Sequence, residues 1–169
     1  MTRRLMAPPE EAVAEWLLTF AVWDEQRAVE EWATEGLTLM RCGGKFCAIR
    51  VPVPLVEAAV DSRIPAEVDA YLAEALHGAP VIRCNTGQWV YVLVRSSVAK
   101  WWRDPYAECV GEGHHLGVPR PDLVRYPGRT VSYWAVPMSE PGRLGSGEAV
   151  SQLVVYGRFR QAASEGQGQ

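Results

Sequence analysis

The segment RSSVAKWWRDPY at 95–106 gathers the side chains in this chain best suited to holding a polyanion. Arg95, Lys100 and Arg103 surround the adjacent Trp101 and Trp102, with Tyr106 close behind. Single-stranded nucleic acid is bound by these means, with cations on phosphates and aromatic faces under bases. Arg83, on the apolar run before this one, adds a fourth cation to the candidate phosphate-binding set. The competing reading is that one tryptophan plugs the core while the cations solvate the surface. Adjacent residues on a helix cannot share a face, so a helical 96–103 leaves one tryptophan buried and the other near the rim.

The cysteines and histidines offer a second chemistry. Cys42, Cys47, Cys84 and Cys109 include no Cys-x-x-Cys pair. A zinc site is conceivable from Cys42-x4-Cys47 together with Cys109 and His114 or His115, but the spacing is looser than that of ribbons or fingers. Against it, Cys47 and Cys84 sit inside apolar, strand-like runs, where free cysteine behaves as a small hydrophobe. His114-His115 could supply a general base, yet no Gly-x-Ser-x-Gly elbow, His-Glu-x-x-His helix or phosphate-loop lysine motif completes a site. Asp104 and Glu108 are a loop pair too common to imply acid–base catalysis. No catalytic residue and no cofactor is assigned.

The chain that must position these groups has 169 residues and 18.7 kDa, the size of one domain. It is 48% apolar and 22% charged, enough to bury a core without disulfides or metals. The net charge of −3 supplies no overall basic field. The charge is uneven, however: residues 1–79 carry 13 acids and 7 bases, and residues 80–169 carry 7 acids and 10 bases. The phosphate candidates all fall in the more basic half. No apolar run reaches the roughly 18 residues of a membrane span, and acids stand where a signal peptide needs its apolar stretch. These features predict a cytoplasmic protein with no membrane partner.

Val13, Trp16, Leu17 and Phe20 follow helical spacing and predict a helix over 9–22, opened by Pro8 and Pro9. A second helix is expected over 24–35, with Asp24 at its N-cap, Val29, Trp32 and Ala33 inward, and Gly36 ending it. This tryptophan-rich pair could instead dock a protein partner. Beyond it the period changes. A hairpin is expected from 37–41 and 46–51 across Gly43-Gly44, then helices at 55–60 and 65–77. The runs 81–84 and 88–95, joined by Asn85-Thr86-Gly87, form the clearest β-signal, apolar on both faces and therefore central. Residues 104–129 read as irregular, 130–136 and 152–160 as strands, and 161–169 as a disordered tail. The sum is an α+β fold, a mostly antiparallel sheet backed by helices, with an N-terminal helical segment at 1–35 and the sheet-bearing unit at 36–160.

Three stretches carry a family likeness. FCAIRVP at 46–52 resembles the proline-ended strand that bears paired aspartates in the primase–polymerase (Prim-Pol) domains of the archaeo-eukaryotic primase superfamily. PVIRCNTGQWVYVLV at 80–94 resembles that family's hairpin, and GRTVSYWAVP at 128–137 its later strand. The likeness is to shortened, degenerate versions of the domain. Prim-Pol chemistry is a two-metal phosphoryl transfer in which carboxylates hold the ions. Where the resemblance would place those carboxylates, this chain has Cys47 and Ile49, and the family's histidine position falls near Trp89 or Tyr91. The resemblance therefore implies a non-catalytic, primase-like accessory protein with a nucleotide or nucleic-acid face. A structural subunit using helices 9–35 is the alternative, and an active metal-dependent primase comes third.

Overall fold

In the computed structural model, which describes residues 9–128 and 131–167, the chain forms an α+β fold of two antiparallel sheets and five α-helices. The helices are α1 (Pro9–Leu18), α2 (Glu25–Glu35), α3 (Val53–Val60), α4 (Pro65–Ala75) and α5 (Gly147–Gln167). The strands are β1 (Leu37–Arg41), β2 (Phe46–Pro52), β3 (Val81–Arg83), β4 (Trp89–Arg95), β5 (Glu108–Val110), β6 (His115–Pro119) and β7 (Tyr133–Val136). Five strands make the main sheet in the order β5-β2-β4-β3-β7, and β1 pairs with β6 in a two-stranded sheet of its own. Among the described residues no helix is long and apolar enough to cross a membrane.

The main sheet is covered on both faces, which is why its central strands are largely apolar. On one face Ile49, Val51, Val90, Val92 and Val94 pack under Leu55, Val56, Leu72, Val150 and Leu153 from α3, α4 and α5. On the other, Phe46, Ala48, Leu93 and Trp134 meet Val13, Leu17 and Trp32 from the first two helices and Met40 and Val118 from the small sheet. The β3–β4 hairpin closes through Asn85-Thr86-Gly87 as expected, with Gly87 N donating to the Cys84 carbonyl at 2.9 Å.

The N-terminal helices belong to this core. Helix α2 starts where Asp24 accepts a hydrogen bond from Arg27 N at 2.7 Å and ends at Gly36, whose φ of 75° is left-handed backbone. Its buried stripe is Ala28 and Trp32, whose indole N–H donates to Val118 O at 2.9 Å. Val29 and Ala33, expected to face inward, are exposed instead, because they lie one step round the helix from that stripe. Helix α1 stops at Leu18 rather than 22. Thr19, Phe20 and Ala21 continue it as tight turns that donate three residues back.

Four expectations are corrected. First, β1 and β2 are not a hairpin: β2 pairs with β4 and β5, and β1 pairs with β6. Strand β2 is buried on both faces and so needs the sheet's centre, whereas β1 alternates and needs only one cover. Second, 104–129 is not wholly irregular, since it contains β5 and β6. Third, 152–160 is helix rather than strand. Ala149, Val150, Leu153 and Val154 fall on one helical stripe, and Gly157 lets the helix approach α3 so closely that a Cβ there would lie 2.7 Å from Leu55 O. Fourth, 161–167 continues that helix instead of forming a disordered tail. The expected positions at Pro8, Arg129, Thr130 and 168–169 lie outside the described residues.

Candidate functional site

The six predicted phosphate-binding residues do not share one face. Arg83 is the register partner of Val90 and Arg95 that of Phe46, and Val90 and Phe46 belong to opposite faces of the sheet. Alternation along the strands therefore sends the two guanidinium groups to opposite sides, at opposite ends of β4. Arg95 and Trp101 line one hollow beside the start of α5, and Lys100 is exposed at the end of the 3-10 turn Ser96–Lys100. Arg103 and Trp102 line another, larger hollow. The tryptophans divide between core and surface, although the helix expected over 96–103 is only a 3-10 turn that stops at Lys100 and leaves both of them beyond it. Trp102 is buried and donates its indole N–H to Ala107 O at 2.7 Å, while Trp101 is 47% exposed.

The zinc set does not assemble. Cys47 lies in the helix-backed core and Cys42 in the core on the other face. His114 is exposed, and its backbone carbonyl, rather than its ring, meets Cys42 N at 3.0 Å. Only Cys47 and Cys109 come together, with sulfurs 3.4 Å apart. Among the described residues no group of three or more His, Cys, Asp or Glu side chains is arranged to hold a metal ion. Burial pushes the Cys42 thiol up to about 11. The hydrogen bond with Cys109, and then burial, raise Cys47 as well.

The arrangement best suited to a ligand involves residues the sequence reading did not select. Register places Arg50 of β2 opposite both Tyr91 of β4 and Glu108 of β5, with Trp89 opposite Pro52 one step along. The Arg50 guanidinium lies 4.3 Å from the Trp89 ring centroid and 2.7 Å from the Glu108 carboxylate. Its Nε is buried without a partner. Burial raises Tyr91 above the ordinary phenol range, and its hydrogen bond to Arg50 opposes that shift. Arg50, Trp89 and Glu108 border a hollow of about 600 Å³ that Arg103, Trp102 and Tyr106 also line. Tyr106 is half exposed and carries Arg158 of α5 at 3.8 Å from its ring centroid. Asp104 in the same loop is occupied locally, accepting from Tyr106 N at 2.7 Å. One signal for this site was present in the sequence: Arg50 is the only charge in the apolar run FCAIRVP.

A polar cluster of another kind lies under α4. The Tyr133 hydroxyl is 2.8 and 3.0 Å from the two carboxylate oxygens of Asp69. Burial lifts Asp69 to about 6, against the opposing effects of that hydrogen bond and of the Arg83 cation. Tyr133 is also raised, by burial first and then by Asp69.

Comparison with protein-family models, with curated proteins and with solved structures finds no match to this chain.

Proposed function

We propose that this chain is a non-catalytic, primase-like accessory protein that binds single-stranded nucleic acid or nucleotides in the hollow bordered by Arg50, Trp89, Arg103 and Tyr106. The observation that carries the reading is the Arg50 guanidinium stacked on Trp89 at the edge of that hollow, with a second cation and a half-exposed phenol beside it. Stacked cations and aromatic faces meet phosphates and bases without demanding a sequence. The three stretches that resemble Prim-Pol domains fall on β2, the β3–β4 hairpin and β7, all in the one five-stranded sheet. This supports the primase-like part of the proposal. Strand β2 has Cys47 and Ile49 where the resemblance would place acids for the metals, and this supports the non-catalytic part.

Glu108 competes with a phosphate for Arg50, but its side chain is 63% exposed. An ion pair this open is worth about 1 kcal/mol or less, so the carboxylate can swing away. The protein-partner alternative has lost most of its material: Trp16 is half-buried against Phe20 and Phe46, and Trp32 is in the core. Trp23 and Val29 remain exposed for it.

The test is fluorescence anisotropy of labelled oligothymidylate, with unlabelled nucleoside triphosphate as competitor, at two salt concentrations. Saturable binding that weakens with salt and is lost in Arg50→Ala is expected. Absence of binding at low salt removes the nucleic-acid reading and leaves the protein-partner one.

A further inference from the structure

We infer that the hollow at the β3–β4 turn, into which Arg83 faces, binds a single phosphate group, free or as a monoester. Arg83 is only 9% exposed, and its Nη1 is buried with no hydrogen-bond partner. Among the described residues it makes no close ion pair: the Asp69 carboxylate, near enough to feel its charge, accepts from the Tyr133 hydroxyl. A buried guanidinium N–H without an acceptor is costly, and the usual answers are a partner side chain or a bound anion.

The surroundings fit the anion. The hollow has a volume of about 260 Å³ and is lined by Arg83, Thr86, Gly87, Tyr126 and Tyr133 among others, with no Asp or Glu among its described lining residues. Arg83 thus supplies a cation to this space, with the Asp69 carboxylate and the Tyr133 hydroxyl as its polar neighbours. Thr86 bears a hydroxyl that makes only a long 3.6 Å contact to Cys84 Sγ as donor, so it is free to turn toward an oxyanion. A tetrahedral phosphate has a third acceptor oxygen left for a hydroxyl after two meet the guanidinium fork. Tyr126, packed edge-on to Tyr133 at 5.7 Å and partly exposed, forms an aromatic rim for the organic part of a monoester. This site is separate from the Arg50 hollow, because Arg83 and Arg50 face opposite sides of the sheet through their partners Val90 and Tyr91. It therefore stands whether or not the nucleic-acid reading does.

The experiment is phosphorus NMR of inorganic phosphate, and separately of phenyl phosphate, titrated with the native full-length chain. Saturable broadening is expected, with acetate failing to compete and with no broadening by Arg83→Gln. Since Arg83 is buried and its loss could unfold the chain, Val131→Glu provides a second variant. Val131 is an exposed residue lining the same hollow, and a carboxylate there should abolish broadening without touching the core. Broadening by both ligands assigns the site to monoesters, and broadening by the free ion alone assigns it to free phosphate. No broadening with the native chain, or broadening that survives Val131→Glu, overturns the proposal. Excess oligothymidylate should leave the phosphate signal unchanged, so a failure here is distinguishable from a failure at Arg50. As a parallel readout, phosphate at about ten times its Kd should raise the thermal midpoint of the native chain and not of Val131→Glu.

Discussion

Arg50 and Glu108 are direct register partners on β2 and β5, and their side chains meet at 2.7 Å on the open end of the main sheet. The pair holds the guanidinium over Trp89 and at the same time occupies the cation that a phosphate would use. Glu108→Gln should therefore tighten oligothymidylate binding at low salt while changing stability by about 1 kcal/mol or less. Anisotropy titrations and urea denaturation of the same two proteins check both halves. Weaker binding by the Gln variant would show that the carboxylate is part of the ligand contact.

Arg103→Glu tests the other cation of the hollow. If Arg103 neutralises one phosphate of a single strand, its loss should reduce the log–log salt slope by about 0.7. Arg83, on the opposite face, should contribute nothing to that slope. Titrations of both variants at several salt concentrations give the comparison, and equal slopes for Arg103→Glu and native protein would exclude Arg103 from phosphate contact.

Asp69 makes stability depend on pH in a definite direction. Its folded value of about 6 lies above the ordinary 3.8 of an aspartate, so between those values the folded state holds more protons than the unfolded. Stability then falls as pH rises through that window, and the contribution is lost above about pH 6. Asp69→Asn keeps an acceptor for Tyr133 and removes the titration. The variant should gain on the native chain progressively from pH 4 to pH 6. The gain should be on the order of 1 kcal/mol, since the group is only partly buried and solvent screens it. Denaturation curves across that range supply the measurement.

Gly157→Ala should destabilise the chain although alanine is the better helix former. The new methyl would meet the Leu55 carbonyl at 2.7 Å, and relief requires α5 to move off α3. Overpacking of this kind costs about 1–3 kcal/mol, more than the roughly 1 kcal/mol gained in helix propensity. A lower urea midpoint is expected; a higher one would show that the two helices adjust freely.

Leu17→Ala and Trp23→Ala separate core from surface in the N-terminal segment. Leu17 is fully buried between α1 and the sheet, so its truncation should cost about 2–5 kcal/mol. Trp23 is 55% exposed and lies beneath Arg27, so its loss should be nearly silent in a denaturation curve.

The parts of the fold governed by local chemistry were readable from the residues. Asp24 and Gly36 bracket α2, and Asn85-Thr86-Gly87 closes the central hairpin. What escaped was decided by long-range pairing. Nothing local shows that β1 leaves β2 to join β6, and its alternation runs against hydropathy, with Thr38 buried and Leu39 exposed. In the last helix, the β-prone run Leu153–Tyr156 and Gly157 masked a helical stripe whose partner, Leu55, is distant in sequence. The candidate site suffered for the same reason. Arg103 and Trp102 were selected by their own neighbourhood, whereas Arg50, Trp89 and Glu108 become a site only when three strands are brought into register.

Because α5 covers the α3 side of the sheet and is translated after every strand it shelters, the nascent chain passes through a stage with β2, β3 and β4 made and their covering incomplete. During that interval Leu55, Val56 and Val94 await Val150, Leu153 and Val154, which are still on the ribosome. Synthesis at about 5–20 residues per second leaves this apolar face open for seconds, long compared with hairpin closure. The vulnerable species in the life of this protein is thus the unfinished one, and a chaperone that grips exposed valine and leucine would meet it on the helix-backed face.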